Sequence, residues 1–406
     1  MATTTNTGEQ AASTSPKLEI AIAGGGIAGL ITAIALLKHP QVSVQVYERA
    51  PEFKEIGASI ALGPNGLRTL EKLGVENALA EGVSQRQESD YPMIYRHWKT
   101  EEVIDRDVHK TVTTKKHFTA RFHRAHLHQA LLENLPQEII HLNKTTVDVK
   151  ADPDTGATLY FEDGSTAKAD IVIGADGIRS AVRKSFVPNH ELHWSGWVAL
   201  RASFEASRLG DLDFPQDATH WIGHGNTFFH SHLGKGLFTT DAKWDELGSL
   251  EQFKDIYKDW NPTIRAFIDA APYVRLFPNY AGAALDTWSF ANRVTLVGDA
   301  AHTHGALSAM SGQHPLLTQK SPLRQRLLRS SRIYEATRQP HVNRLLGVVH
   351  KNLAGQKANI ERAKAETDEQ LRQRVSQRMD PSWISEHDVE KAFKQVVEKE
   401  EPRAKL

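Results

Sequence analysis

The chain has 406 residues, with 49 Lys and Arg against 49 Asp and Glu, so no overall field steers it towards nucleic acid or an anionic membrane. Hydrophobic residues make up 40% and charged residues 24%, the balance of a globular chain, and the length fits two or three domains. Cysteine is absent, which excludes disulfide scaffolds, iron–sulfur clusters, thiolate zinc sites and cysteine nucleophiles.

Residues 1–16 are small and polar and read as a disordered leader, not a signal peptide. Leu18–Ala23 is a short apolar run suited to a buried parallel strand. Gly24-Gly25-Gly26 follows it, then helical spacing over Ile27–Lys38, then a second β-rich run, Val42–Tyr47, ending at Glu48. Together they predict a βαβ unit. Asn65–Leu73 predicts a helix closed by Gly74, and residues 123–134 predict another. Thr145–Val149 and Ala157–Phe161 read as strands joined by a Pro-Asp-Thr-Gly turn. Two further buried-strand patterns, Asp170–Ile173 and Arg293–Val297, each run into Gly and Asp. Residues 193–240 are sheet-prone, and about 355–401 is a charged, helix-prone stretch expected to be a solvated end. No apolar run is long enough to span a bilayer.

Three motifs carry chemistry. Gly24-x-Gly26-x-x-Gly29 lies between an apolar strand and a helix, where glycines permit a tight turn and close approach of a pyrophosphate to the helix N-terminus. Glu48 ends the next strand nineteen positions after Gly29, where a carboxylate hydrogen-bonds an adenosine ribose. This motif alone does not separate FAD from NAD. Gly174-Ala175-Asp176-Gly177 and Gly298-Asp299-Ala300-Ala301-His302 each put an Asp at the C-terminal end of a buried strand, where α/β sheets place ligands. Either Asp alone also suits a helix N-cap. His123, His126, His128, His302 and His304 form no metal-ligand pattern, so no metal is expected.

In this order the three motifs resemble those of the aromatic-ring flavoprotein monooxygenases of the p-hydroxybenzoate hydroxylase type, and most nearly the fungal salicylate-hydroxylase-like and polyketide-phenol hydroxylases. Tyr47-Glu48-Arg49-Ala50, the stretch Glu55–Asn65, Phe122–Leu127, Trp194–Leu200 before Arg201, and Arg332–His350 agree with the likeness. It implies an α/β fold: a Rossmann-like FAD-binding domain with a second, sheet-rich substrate domain and a helical C-terminal end. The expected bounds are a leader at 1–16, an FAD-binding domain at 17–185 plus 285–350, a substrate domain at 186–284 and a charged helical tail at 351–406.

The resemblance implies FAD as cofactor and NADPH or NADH as co-substrate. It gives Gly24, Gly26 and Gly29 to the pyrophosphate, Glu48 to the ribose, and Ala61 to the flavin region. It brings Arg124, Asp176, Asp299 and Gly312 to FAD. A guanidinium at Arg124 suits a phosphate, which it can grip with two parallel hydrogen bonds. The implied reaction hydroxylates a phenolic or salicylate-like aromatic through a flavin C4a-hydroperoxide, with a role in secondary-metabolite tailoring. Arg201 matches an arginine that favours the phenolate, and His230 stands where those enzymes carry a tyrosine. The expected partner is a small aromatic molecule, with no nucleic acid and no membrane span, in the cytoplasm.

One segment departs from the family. Ser311–Ser331 carries Lys320, Arg324, Arg326 and Arg329 and no acid, where the family has a helix with an acidic pair. Two alternatives therefore stay open: a flavin-fold protein with impaired activity, and an NAD-dependent dehydrogenase using the first motif alone.

Overall fold

The computed structural model describes residues 17–53, 59–244, 249–304 and 323–400. Strand β1 (Leu18–Ala23), helix α1 (Ile27–Leu37) and strand β2 (Val42–Tyr47) form the βαβ unit expected from the sequence. Helix α1 has no polar face. Leu30, Ile31, Ile34 and Leu36 are all buried, and a helix apolar all round belongs inside the molecule. Each such side chain contributes roughly 1.5–3 kcal/mol on burial.

Four more strands, β8 (Ile140–His141), β12 (Ile171–Gly174), β18 (Ser289–Phe290) and β19 (Val294–Leu296), complete a six-stranded sheet ordered β18-β19-β12-β1-β2-β8. Every neighbouring pair is parallel except β18–β19. Ala23 pairs with Gly174, and Gly174 with Leu296. The strands that carry the three motifs are therefore adjacent and end side by side.

Two small antiparallel sheets flank this one. Strands β3 (Ser59–Leu62), β4 (Gln85–Arg86) and β7 (Ala120–His123) are ordered β3-β7-β4. Strands β9 (Thr146–Asp152), β10 (Gly156–Phe161) and β11 (Thr166–Ala169) form a meander. Helix α2 (Pro64–Lys72) is closed by Gly74 at φ +70°, and short α3 (Glu76–Leu79) follows. Helix α4 (Arg124–Leu132) follows β7, and α5 (Ala181–Phe186) follows β12.

A seven-stranded sheet is built from β5 (Ile94–His97), β6 (Val103–Arg106), β13 (Leu192–Glu205), β14 (Thr219–Ile222), β15 (Thr227–Leu233), β16 (Leu237–Trp244) and β17 (Arg275–Gly282). Its order is β17-β13-β16-β15-β14-β5-β6. Strands β5 and β6 come from a stretch that the sequence assigned to the first domain. They join this sheet because β5 adds in parallel to β14, a pairing between distant segments. One face packs on α6 (Leu250–Ile256) and α7 (Pro262–Ala270) through Leu200, Trp221, Phe228, Phe238, Phe253 and Phe267.

The C-terminal part is helical: α8 (Leu323–Ala354), α9 (Gln356–Ala365), α10 (Asp368–Ser376), α11 (Ser382–Ser385) and α12 (Val389–Glu400). The expectation of a solvated end holds for α12, which has no buried residue, and is corrected for α10 and α11. Leu371 and Val375, one turn apart on α10, bury against Ile222 and Tyr95 on the other face of the seven-stranded sheet. Charges beside them pair with the sheet rim. Arg378 binds Asp105 and Asp107, and Arg372 binds Glu102 at 2.9 Å. Further on, Ile384 O accepts from Asn65 Nδ2 at 3.1 Å. The Glu386 carboxylate accepts from the N–H groups of Lys110 and Thr111 at 2.8 and 2.6 Å. Among the described residues no helix is long and apolar enough to cross a membrane, and no His/Cys/Asp/Glu cluster could hold a metal ion.

Candidate functional site

The first motif is built by close packing. Gly24 has φ +107°, and a Cβ there would lie 2.4 Å from Ala175 O; at Gly29 it would lie 2.0 Å from Gly24 O. Neither position admits a side chain. Gly26 differs. It caps α1 with extended backbone, and a Cβ there would meet nothing within 4 Å. Its hydrogen faces open space at a helix N-terminus.

The Glu48 carboxylate stands beside this turn, accepting from Gly25 N at 2.7 Å and from Ala50 N at 2.9 Å. On the other side, His128 Nε2 lies 2.7 Å from Gly25 O. Both polar groups of the Gly25 peptides are thus held. Sequence reasoning grouped His128 only with neighbouring histidines, because its partner is a main-chain oxygen over a hundred residues away.

Asp176 fulfils the capping role in part. Its Oδ2 accepts from Ala181 N at 2.7 Å and Val182 N at 3.1 Å, opening α5 together with the Ser180 hydroxyl. Its other oxygen, Oδ1, is buried and has no hydrogen-bond partner among the described residues. Arg183, which no motif singled out, ties the second turn to the third. Its Nη2 donates to Ile178 O at 2.5 Å, and its Nη1 to Asp299 O at 3.1 Å and Ala300 O at 2.9 Å. Gly298, at φ +60°, leans on the first helix: a Cβ there would lie 2.8 Å from Ala28 Cβ.

A groove of about 670 Å³ opens at these strand ends. Gly24, Gly26, Glu48, Arg124 and Asp176 line it, joined by Arg201 and Phe277 from the seven-stranded sheet. The Arg201 guanidinium lies 5.4 Å from the Phe277 ring centre. Asp299 and Ala61 do not line the groove. Asp299 is exposed, with its main-chain oxygen on Arg183, and Ala61 is buried on β3 opposite Arg121. Gly312 lies outside the described residues.

His230 is not brought to Arg201. Register pairs Arg201 with Asp241, Asp241 with Phe229 and Phe229 with His220, which puts Arg201, Phe229 and His220 on one face. His230 pairs with Thr240 and points to the opposite face. It is fully buried among Trp221, Phe238 and Phe267, its ring 4.7 Å from that of Phe267. Neither nitrogen has a partner among the described residues, and burial pushes its pKa well below the usual value. It is a neutral core residue. On the Arg201 face its neighbour Phe229 stands instead, with the Arg121 guanidinium 5.0 Å from that ring.

The groove fits a flavin dinucleotide. Gly26 leaves room for a pyrophosphate, the α1 N-terminus and Arg124 offer donors and positive charge, Glu48 offers acceptors, and Asp176 Oδ1 lacks the donor that a buried oxygen requires. Comparison with known proteins agrees. Residues 17–226 match the family of FAD binding domains. The chain is 32% identical over 298 residues to the 6-hydroxynicotinate 3-monooxygenase of Pseudomonas fluorescens, covering 70% of this chain and 76% of that protein. It is 29% identical over 317 residues to a salicylate hydroxylase of Pseudomonas putida, covering 71% of each. The crystal structure of Klebsiella pneumoniae HpxO with FAD and uric acid superposes with a TM-score of 0.69 at 21% identity, over 88% of this chain and 95% of that one.

Proposed function

The chain belongs to the FAD-binding-domain family of aromatic flavoprotein hydroxylases, and we propose that it uses NAD(P)H and O2 to hydroxylate a phenolic or salicylate-like ring in secondary-metabolite tailoring. One observation supports this reading above the others: Arg201 and Phe277 of the seven-stranded sheet share a groove wall with the glycine turn, Glu48, Arg124 and Asp176. A cation and an aromatic ring thus border the place where a dinucleotide would lie.

Bound FAD supplies hydride acceptance and oxygen activation. The chain's own residues do the rest. The α1 N-terminus and Arg124 hold the pyrophosphate, and Glu48 accepts from the ribose hydroxyls. Asp176 Oδ1 accepts one hydrogen bond from the cofactor. Arg201 holds the substrate oxygen and favours its phenolate form, which raises the nucleophilicity of the ring carbon. Phe277 stacks beside that cation and helps to keep water from it. Arg183 holds the third turn by the main-chain oxygens of Asp299 and Ala300; His230 has no part in the chemistry.

The dehydrogenase alternative is set aside, because family membership and the two further strand ends go with FAD. Impaired activity has one observation in its favour. Residues 305–322 contain no acid, and the buried Arg338 guanidinium has no acceptor for Nη1 or Nη2 among the described residues. The test is an aerobic NAD(P)H-consumption assay with a panel of phenols, scored for hydroxylated product against H2O2. Yellow protein that converts a phenol upholds the proposal. Yellow protein that makes only H2O2 supports the impaired reading, and colourless protein that takes up no FAD ends both.

A further inference from the structure

The glycine turn carries a conformational freedom that its own residues do not control. A Cβ at Gly25 would lie 2.8 Å from the Phe53 ring and 3.1 Å from Glu48 Cβ, so packing admits no side chain there. Glycine therefore stands on both sides of the peptide that joins Gly25 to Gly26. With no Cβ on either side to hinder it, that plane can turn over with little steric resistance. The two orientations differ in what they show a ligand. The bond is trans, so the Gly25 carbonyl and the Gly26 N–H point in opposite directions. One orientation offers an anion an N–H at the start of α1, and the other offers a carbonyl oxygen, which repels it.

A side chain from another element makes the choice. His128 Nε2 lies 2.7 Å from Gly25 O. A carbonyl oxygen only accepts, so Nε2 carries the proton and the imidazole donates. The ring is itself held: it is 2% exposed on α4 and packs against the Phe53 ring at 4.9 Å. Phe53 thus borders both Gly25 and the imidazole that fixes it. The preceding peptide, between Gly24 and Gly25, is fixed by Glu48, which accepts from Gly25 N at 2.7 Å. Two successive planes of the glycine run are therefore each tied to a side chain, one by its N–H and the next by its carbonyl. Gly25, Gly26, Glu48 and His128 all border the groove.

We propose that His128 is a positioning residue for the cofactor: by holding the Gly25 carbonyl it aims the Gly26 N–H at the pyrophosphate. The inference rests on the dinucleotide reading of the groove and assigns to His128 an action through the main chain. The α1 N-terminus then meets a phosphate with its donors already aligned. Without the imidazole the plane populates both orientations, and apparent affinity falls with the fraction left in the competent one. The ordinary net worth of one hydrogen bond corresponds to a change on the order of 10-fold.

The test titrates the flavin-free full chain with FAD by flavin fluorescence, and with ADP and adenosine as competitors. All three carry the adenosine whose ribose Glu48 would hold, but only FAD and ADP carry a pyrophosphate. H128L, which fills much the same space without a donor, should bind FAD and ADP about 10-fold more weakly and adenosine within about twofold of wild type. H128Q, whose amide restores an N–H donor at similar reach, should bring FAD and ADP back to within about threefold. A merely structural role would not split the ligands in this way. Equal loss of all three ligands in H128L, no recovery in H128Q, or failure of H128L to fold would each overturn the proposal. Wild type that binds neither FAD nor ADP would overturn the dinucleotide reading and this inference with it. Wild type that binds both, with H128L binding FAD equally well, would overturn this inference alone.

Discussion

Gly26 allows folding and cofactor binding to be separated by one methyl group. At Gly26→Ala the new Cβ meets nothing within 4 Å, and the backbone is already extended with negative φ. Losing a favourable N-cap residue costs about 0.5–1 kcal/mol, a Tm change within about 4 °C. At Gly24→Ala the Cβ would sit 2.4 Å from Ala175 O on a backbone at φ +107°. Strain and overpacking there cost about 2–6 kcal/mol. If the pyrophosphate uses the space at Gly26, that methyl group displaces it, and FAD affinity should fall 10- to 100-fold, about 1.4–2.7 kcal/mol. The assay pairs thermal melts of the two apoproteins with flavin-fluorescence titrations. G26A should melt like wild type and bind FAD poorly, while G24A should be unstable before FAD is added. Wild-type FAD affinity in G26A, or equal destabilisation of both variants, would refute the reasoning.

Three further outcomes follow from the geometry. Arg201→Ala should lower the rate of phenol hydroxylation on the order of 100-fold while FAD affinity stays within about twofold; parallel loss of both would remove Arg201 from the substrate. Arg183→Met leaves the carbonyls of Ile178, Asp299 and Ala300 without their donor and should cost about 3–5 kcal/mol in urea unfolding of the apoprotein; a loss under about 1 kcal/mol would mean that the turns hold without it. His230→Phe should leave hydroxylation intact and flatten the acid limb of stability. The folded pKa is depressed, so as pH falls below about 6.5 the unfolded chain takes a proton that the folded chain refuses, at roughly 1.4 kcal/mol per pH unit. Thermal melts from pH 7.5 to 5 in both proteins measure this, and identical slopes would contradict the burial argument.

The parts legible in the sequence were those written in contiguous residues. LEIAIA, DIVI and RVTLV read as buried strands because both faces of a parallel strand are covered, and each is stopped by glycine. That β12 would lie next to β1, and β19 next to β12, depends on pairing over more than a hundred residues, which only the resemblance implied. His230 shows how fine the remaining information is. FFHSH alternates in a strand, and a shift of one residue exchanges Phe229 for His230 at the face shared with Arg201. Arg183 and His128 were illegible as site residues because both bind main-chain oxygens, which leave no trace in residue identity. The C-terminal helices read as solvated because the stretch 355–401 is rich in charge. Two apolar residues, Leu371 and Val375, and a few ion pairs sufficed to dock α10.

The docking of the C-terminus has a consequence for synthesis. Ile384 and Glu386 fasten Asn65, Lys110 and Thr111, so residues made several hundred positions later complete a corner begun by the first domain. Until then the nascent chain exposes the apolar flank of its seven-stranded sheet around Ile222 and Tyr95. Synthesis therefore carries a long interval in which that flank is open to chaperones or to another nascent chain, until α10 has been made.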